Sequence, residues 1–246
     1  MSEALRLSIG HLFPDLLNLY GDRGNILALK NRLCWRGMDA EIIEVTKDDP
    51  VTLAKMDIVF LGGGSDREQR LVCGRLRGMR QDFRAYVEDG GVLAAVCGGY
   101  QLLGNYYRLA DETIPGLELL DIYTESGQGR LIGNVVLESG FAGGKATVVG
   151  FENHGGRTYT GDYEPFGRVL SGFGNNGNDQ KEGVVYKNVL GTYLHGPLLP
   201  KNPAVADEIL SRALERKYGR KIVLEPLDDV LELEAHQYIV KRFAGE

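Results

Sequence analysis

Cys97 is the residue in this sequence best placed to act as a nucleophile. It follows the apolar run Val92–Val96, which predicts a buried strand, and it precedes Gly98 and Gly99, where a helix begins. A nucleophile at such a strand-to-helix turn is held in a strained backbone conformation that requires small neighbours. We expect the helix N-terminus to lower the thiol pKa and the Gly98 N–H to face an oxyanion. A merely buried cysteine is the alternative, and the flanking glycines favour a nucleophile.

Two other segments have the composition that thiol catalysis requires. Gly62–Gly64 directly follow a predicted strand, and consecutive glycines let a backbone N–H approach a ligand closely, although a plain turn would use them too. His195 stands in GTYLHGP, at a strand end, where an imidazole could take the proton of a thiol. A structural histidine is the alternative there. The four histidines that could serve as the base are His11, His154, His195 and His236.

The roles of Glu152 and His154, in the run GFENHGGRT, stay open between orienting the site and satisfying local backbone groups. Gly140–Lys145 resembles a phosphate loop, but its spacing is one residue short. Ala146 also stands where a Ser or Thr would bind magnesium. We therefore expect no ATP site and no cofactor in this chain.

Composition narrows the class of protein. The 246 residues are 43% apolar with a net charge of −6, which is ordinary for a protein with a core and argues against nucleic acid or anionic membrane as partner. No run is long and apolar enough for membrane insertion, and the first residues lack a secretory pattern. Three cysteines without metal-ligand spacing indicate a reduced, cytoplasmic protein.

Alternating strand and helix patterns predict an α/β fold, with a mostly parallel central sheet flanked by helices. Such sheets collect their sites at the carboxyl ends of the strands, which would bring together His11, Gly62–Gly64 and Cys97. We read 1–246 as a single domain, with a core over about 5–200 and a C-terminal helical extension over about 201–246. The predicted strands are Leu5–His11, Ala40–Val45, Met56–Leu61, Val92–Val96, Leu131–Leu137, Ala146–Phe151, Gly183–Tyr186 and Val189–Leu194. The predicted helices are Ile26–Arg36, Arg67–Glu88, Pro203–Tyr218 and Asp228–Phe243, and Gly172–Asp179 is predicted to be a flexible turn.

Long motifs of this chain resemble the triad-type (class I) glutamine amidotransferases of the cobyric-acid-synthase-like branch. Within it, the sequence is most similar to the glutaminase subunits of lipid II isoglutaminyl synthases. The motifs are HLFPDLLNLYGDRGN, LGGGSDREQ, VCGGYQLLG, GFENHGGRT, GFGNN and KNVLGTYLHGPLLPKNP. The resemblance covers most of the chain and implies the flavodoxin-like fold of class I amidotransferases.

The resemblance also implies roles for particular residues. These are Cys97 as nucleophile, His195 as base, Gly63 and Gly98 as oxyanion donors, and Gln101 and Arg130 as glutamine-binding residues. A guanidinium suits the glutamine carboxylate because its planar fork donates two hydrogen bonds, although Arg130 could instead form a surface ion pair. Two positions depart from the general pattern. Pro197 stands where many relatives have the Glu that orients the histidine, and Ala95 stands where many have Gly.

The resemblance finally implies a partner. Such subunits form a heterodimer with MurT, a Mur-ligase-like enzyme that holds ATP and magnesium and amidates the D-glutamate of the lipid II stem peptide. Here the substrate would be L-glutamine and the process peptidoglycan synthesis. A glutaminase feeding another ligase, such as a cobyric acid synthase, is one alternative. A catalytically silent subunit that stabilises its ligase is another.

Overall fold

The structure, a computed structural model, describes residues 4–245. The extreme ends of the predicted 1–246 domain therefore lie outside the described residues. The strands, in chain order, are β1 (Arg6–Leu12), β2 (Asp39–Val45), β3 (Ile58–Leu61), β4 (Val92–Val96), β5 (Tyr106–Arg108), β6 (Thr113–Pro115), β7 (Tyr123–Ser139), β8 (Ala146–Tyr159), β9 (Gly167–Ser171), β10 (Lys181–Glu182), β11 (Val184–Tyr186) and β12 (Val189–Thr192). The α-helices are α1 (Arg23–Cys34), α2 (Asp66–Gly78), α3 (Arg80–Glu88), α4 (Gly98–Leu102), α5 (Pro203–Tyr218) and α6 (Val230–Phe243).

The central sheet has the order β11-β12-β4-β3-β1-β2, and all its pairings are parallel except that of β11 with β12. Its middle strands β3 and β4 are buried along their whole length, because a parallel sheet is covered on both faces. The predicted α/β fold is confirmed. With β12 as the fifth parallel strand, the order is that of flavodoxin-like sheets.

The carboxyl ends of β3, β4 and β12 position the site. Leu61 pairs with Ala95, and Thr192 pairs with Val96, so the segments that follow these three strands emerge side by side. The main core below them contains apolar residues of the sheet together with those of α5. Helix α5 begins at Pro203 and ends at Gly219, which has φ 64°.

The structure contains a second sheet, of which the sequence predicted only the strands Leu131–Leu137 and Ala146–Phe151. Its order is β10-β9-β7-β5-β6, and the long strand β8 pairs with β7. The run Gly150–Thr158, which begins in the second of these predicted strands and whose Glu152 and His154 had no assigned role, lies inside β8. Its glycines allow close packing rather than a turn: a Cβ on Gly150 would lie 2.8 Å from the Cβ of Leu194.

The longest predicted helix is divided in the structure. The single helix expected over Arg67–Glu88 is two helices, α2 and α3, separated at Met79, which has φ −105° and ψ 11°. Gly78 explains the break because glycine is a poor helix former. Helix α6 packs against the second sheet through Val240. Within residues 4–245, no helix combines the length and the apolar character needed to cross a membrane.

Candidate active site

Cys97 occupies the predicted sharp turn between β4 and α4. Its φ of 49° is unusual for a residue with a side chain, and its N–H donates to the Thr192 carbonyl at 2.8 Å. A Cβ on Gly99 would lie 2.4 Å from the Leu61 carbonyl oxygen, so only glycine lets the turn rest against β3. The predicted strained turn between strand and helix at Cys97 is therefore confirmed. Such strain costs about 1–3 kcal/mol and is typical of functional sites.

The expected low pKa of the Cys97 thiol is wrong. Burial, followed by the charge of the Asp22 carboxyl, raises the pKa of the Cys97 thiol to about 12, and the hydrogen bond from the Gly98 N–H opposes only part of that rise. The reason is that α4 has only five residues, so its terminus does not offset removal of the sulfur from water. The free enzyme therefore holds a neutral thiol, which must lose its proton as it attacks.

Asp22, a residue for which the sequence motifs indicate no role, lies beside the thiol. Its Oδ2 accepts a 2.6 Å hydrogen bond from the Gly63 N–H, across 41 residues of sequence. Its Oδ1 is buried, and no donor among the described residues reaches it. Burial raises the pKa of Asp22 to about 7, and the hydrogen bond from Gly63 opposes that rise. The available signal was its place before a helix, where aspartate normally caps; here its side chain makes no capping bond.

The hydrogen bond between Gly63 and Asp22 affects one of the two predicted oxyanion donors, Gly63 and Gly98. The Gly63 N–H already donates to Asp22, so it can serve an oxyanion only after Asp22 releases it. The Gly98 N–H, in contrast, points at the Cys97 sulfur. Gly64 lies in the wall of the pocket beside Cys97, so the glycine loop does reach the site.

The Cys97 side chain opens into a pocket at the carboxyl edge of the central sheet, closed on one side by the second sheet. Of the predicted site residues, it brings together Cys97, Gln101 and Arg130. The walls contain backbone and side chains from both sheets and from the first turn of α2. They are Leu19, Gly64, Ser65, Asp66, Gln69, Cys97, Gln101, Tyr107, Arg130, His154 and Gly155.

Arg130 reaches the pocket from β7. Asn153 on the neighbouring strand holds its guanidinium: Nε donates to Asn153 Oδ1 and Nη2 to the Asn153 carbonyl oxygen, each at 2.7 Å. No described residue accepts from Nη1, which lies 3.8 Å from the position a Cβ on Gly155 would take. These two hydrogen bonds fix the plane of the Arg130 guanidinium and leave N–H groups that can donate to a carboxylate. Within residues 4–245, Arg130 forms no ion pair.

The side-chain amide of Gln101 is held by hydrogen bonds to neighbouring residues. Its Oε1 accepts from Gln69 Nε2 at 2.9 Å, and its Nε2 donates to the Tyr193 hydroxyl at 3.1 Å. The Tyr193 hydroxyl bonds Thr158 in turn, at 2.6 Å. Gln101 therefore links the short helix after Cys97 to both sheets, and a glutamine contact would use its remaining N–H.

His195 is not among the described residues that line this pocket. It follows β12, and its backbone pairs in both directions with Phe151 of β8, at 2.9 and 3.2 Å. Burial lowers the pKa of its imidazole to about 4, and His154 contributes to the lowering. The ring is therefore neutral at physiological pH and able to accept a proton. Pro197 packs on α1, where its Cγ would lie 2.5 Å from a Cβ on Gly24.

His154 forms part of the pocket wall, and both of its ring nitrogens are engaged. Nδ1 lies 2.8 Å from the Gly156 carbonyl oxygen and Nε2 lies 3.3 Å from Glu152 Oε2. The ring also stacks on Tyr193, with centroids 3.6 Å apart. Glu152 accepts in addition from the N–H groups of Phe173 and Gly174, so this pair orders the turn that we expected to be flexible.

The other two histidines lie away from the pocket. His11 is buried at the end of β1 and packs edge-on against Phe60. His236 bonds Thr147 through Nε2 and the Lys201 carbonyl through Nδ1, which ties α6 to the rest of the chain.

Comparison with solved structures identifies the fold. The chain is similar to a structure of PurLQS from Thermotoga maritima, with a TM-score of 0.57 and 14% identity over 89% of this chain and 100% of that one. It is also similar to the glutaminase domain of Trypanosoma brucei CTPS with bound acivicin, with a TM-score of 0.51 and 13% identity over 89% and 96% of the two chains. At this identity the similarity establishes the fold alone.

Sequence comparison identifies the family. Two relatives are the subunit GatD of lipid II isoglutaminyl synthase (glutamine-hydrolyzing) from Staphylococcus aureus, 46% identical over 96% of both chains, and from Streptococcus pneumoniae, 39% identical over 95% of this chain and 90% of that one. Cobyric acid synthase of Sphingopyxis alaskensis is 33% identical over 80% of this chain and 40% of its own length. Residues 8–203 match the CobB/CobQ-like glutamine amidotransferase domain. The chain therefore belongs to the CobB/CobQ-like glutamine amidotransferase family.

Proposed function

We propose that this chain is the glutamine-hydrolysing subunit of a lipid II isoglutaminyl synthase. The observation that carries the proposal is the similarity to GatD along 96% of both chains. The pocket supports it, because a strained thiol and a fixed guanidinium face the same space.

In the proposed reaction, the Cys97 sulfur attacks the side-chain amide carbon of L-glutamine while His195 takes the thiol proton. The tetrahedral intermediate places its charge near the Gly98 N–H, and His195 returns the proton to the departing ammonia. A thioester between Cys97 and the glutamyl group remains. Water then attacks it, with His195 again accepting a proton, and glutamate leaves.

The choice of His195 rather than His154 as the base rests on the position of His195 in the sheet and on its neutral ring. Both nitrogens of His154 are already engaged by Gly156 and Glu152, so that ring is suited to holding the wall of the pocket. His195 follows the strand next to the one that carries Cys97, and its neutral imidazole suits a base that acts on a neutral thiol. Arg130 takes the α-carboxylate of glutamine in this proposal.

Similarity favours this function over a corrinoid glutaminase. The chain is 46% identical to the Staphylococcus aureus GatD over 96% of its residues, and 33% identical to the Sphingopyxis cobyric acid synthase over 80%. We infer that this chain acts as one amidotransferase domain and forms a heterodimer with MurT, a Mur-ligase-like enzyme. MurT would hold ATP and magnesium and amidate lipid II D-glutamate to D-isoglutamine.

We infer that the complex works in the cytoplasm, and the three free cysteines support a reducing compartment. The division of labour is testable with the purified chain, its ligase and two nitrogen sources. Glutamine hydrolysis should not require ATP, whereas amidation of lipid II should require ATP and the ligase. Ammonium should replace glutamine, because ammonia is all that this chain delivers.

A Cys97→Ala complex provides the matched comparison. It should amidate lipid II from ammonium at the wild-type rate and fail with glutamine. Amidation from glutamine by the Cys97→Ala complex would contradict the assignment of Cys97 as the nucleophile. Failure of ammonium to restore amidation would contradict the separation of glutamine hydrolysis and amidation between two subunits. Amidation of a corrinoid acid instead of lipid II would favour the cobyric acid alternative.

A further inference from the structure

The pocket around Cys97 contains charged groups of both signs. Arg130 contributes the guanidinium, and Asp66, at the start of α2, contributes the only carboxylate in the described walls. No described residue forms an ion pair or side-chain hydrogen bond with Asp66. A free amino acid carries an ammonium and a carboxylate on one carbon, so a pocket that binds it needs a negative and a positive group.

Asp66 is not required to cap its helix. The capping box of α2 is made by Ser65 and Glu68: the Ser65 N–H donates to Glu68 Oε2 at 3.0 Å, and the Ser65 hydroxyl also bonds that carboxylate. The Asp66 carboxylate is thus left facing the pocket. Its neighbour Glu68 does not contribute to the pocket wall and provides a comparison residue on the same turn.

Tyr107 supplies a second, independent observation. The residue is 4% exposed and lies in the wall, and no hydrogen bond links its hydroxyl to any described residue. Both charged residues affect the Tyr107 phenol: burial, Asp66 and the Cys97 sulfur together raise its pKa to about 12, and Arg130 opposes that rise. A hydroxyl that has no partner among the described residues, on a buried tyrosine in a wall shared with Asp66 and Arg130, indicates a polar ligand group at that point.

We propose that Asp66 and Tyr107 form the subsite for the α-ammonium group of the substrate, opposite the carboxylate subsite of Arg130. The proposal rests on the proposed function and adds a specificity rule to it. The pocket accepts a free α-amino acid and discriminates against an amide that lacks the amino group. Asp66 supplies charge, and Tyr107 supplies a neutral acceptor.

The test compares L-glutamine with glutaramate, which is glutamine without its α-amino group. Both are titrated by calorimetry into the full-length Cys97→Ala chain, which does not consume them. This parent should prefer glutamine about tenfold to a hundredfold, the usual value of one charge-assisted hydrogen bond. Adding Asp66→Asn should remove most of that preference by weakening glutamine binding, and glutaramate binding should stay within about threefold. Tyr107→Phe should reduce the preference by a smaller factor.

Glu68→Gln is the matched control, because it disturbs the same helix turn but should leave the preference unchanged. An Asp66→Asn variant that weakens both ligands equally, or neither, overturns the subsite. A parent that binds glutamine and glutaramate equally well also overturns it, while leaving glutamine hydrolysis as the proposed function. A parent that binds no glutamine overturns both proposals.

Discussion

Replacing Asp22 with asparagine should stabilise the fold, and the gain should grow with pH. Burial raises the pKa of Asp22 from 3.8 to about 7, so the folded protein resists its ionisation. The two pKa values differ by about 3, and each unit is worth about 1.36 kcal/mol. The full cost of ionising Asp22 in the folded state is therefore about 4 kcal/mol.

The sign follows from proton binding in the two states. Between pH 3.8 and about 7 the folded protein keeps a proton on Asp22 that the unfolded chain has lost, so stability falls as pH rises. Above about pH 7 the loss is complete. Asparagine does not titrate, and its Oδ1 can still accept the Gly63 N–H.

Urea unfolding of both proteins at about pH 5 and about pH 8 measures the effect. At about pH 5 the wild type has lost roughly 1.5 kcal/mol, so the stability gain of Asp22→Asn should grow by about 2–3 kcal/mol between the two pH values. The exposed Asp111→Asn is the matched control and should show no such growth. If Asp22→Asn raised the free energy of unfolding by the same amount at both pH values, the claim that the folded protein keeps a proton on Asp22 would be wrong.

Two further changes test the catalytic and binding roles through the kinetics of ammonia release. His195→Ala should lower kcat by about 10²–10⁴-fold with little change in glutamine affinity, because it removes a proton acceptor; a larger loss in His154→Ala would move the base to His154. Arg130→Ala should raise KM by about tenfold to more than a hundredfold, and Arg130→Lys should recover part of that, since a point charge lacks the planar fork. An unchanged KM in Arg130→Ala would remove Arg130 from the substrate site.

The sequence predicts the elements whose signals are local. Val92–Val96 is apolar because a central parallel strand is buried on both faces, and the predicted strand has the observed bounds. Pro203 and Gly219 mark the ends of α5 for equally local reasons. The position of Cys97 in the fold could therefore be predicted from its own segment.

Features that depend on distant contacts could not be predicted in this way. The role of Asp22 depends on the packing of its loop against Gly63, and the high thiol pKa depends on burial by the whole site. The predicted strand Ala146–Phe151 covers only the first part of β8, because the glycines of the polar second part resemble a turn. Burial in that second part nevertheless alternates residue by residue: Glu152 and His154 are buried, and Asn153 between them is half-buried. The sequence does not show this period of two, because the buried positions there are polar residues or glycine rather than apolar ones.

The most direct test of the account is the site at which a diazo-ketone analogue of glutamine attaches. The full chain is treated with the analogue, digested, and sequenced by mass spectrometry, with and without competing glutamine. Cys34 is exposed and Cys73 is half-buried, whereas Cys97 is buried, so simple accessibility would favour Cys34. The account predicts a single label on Cys97 that glutamine suppresses. Labelling of Cys34 or Cys73 that ignores glutamine, with Cys97 unmodified, would contradict a glutaminase built on the Cys97 thiol.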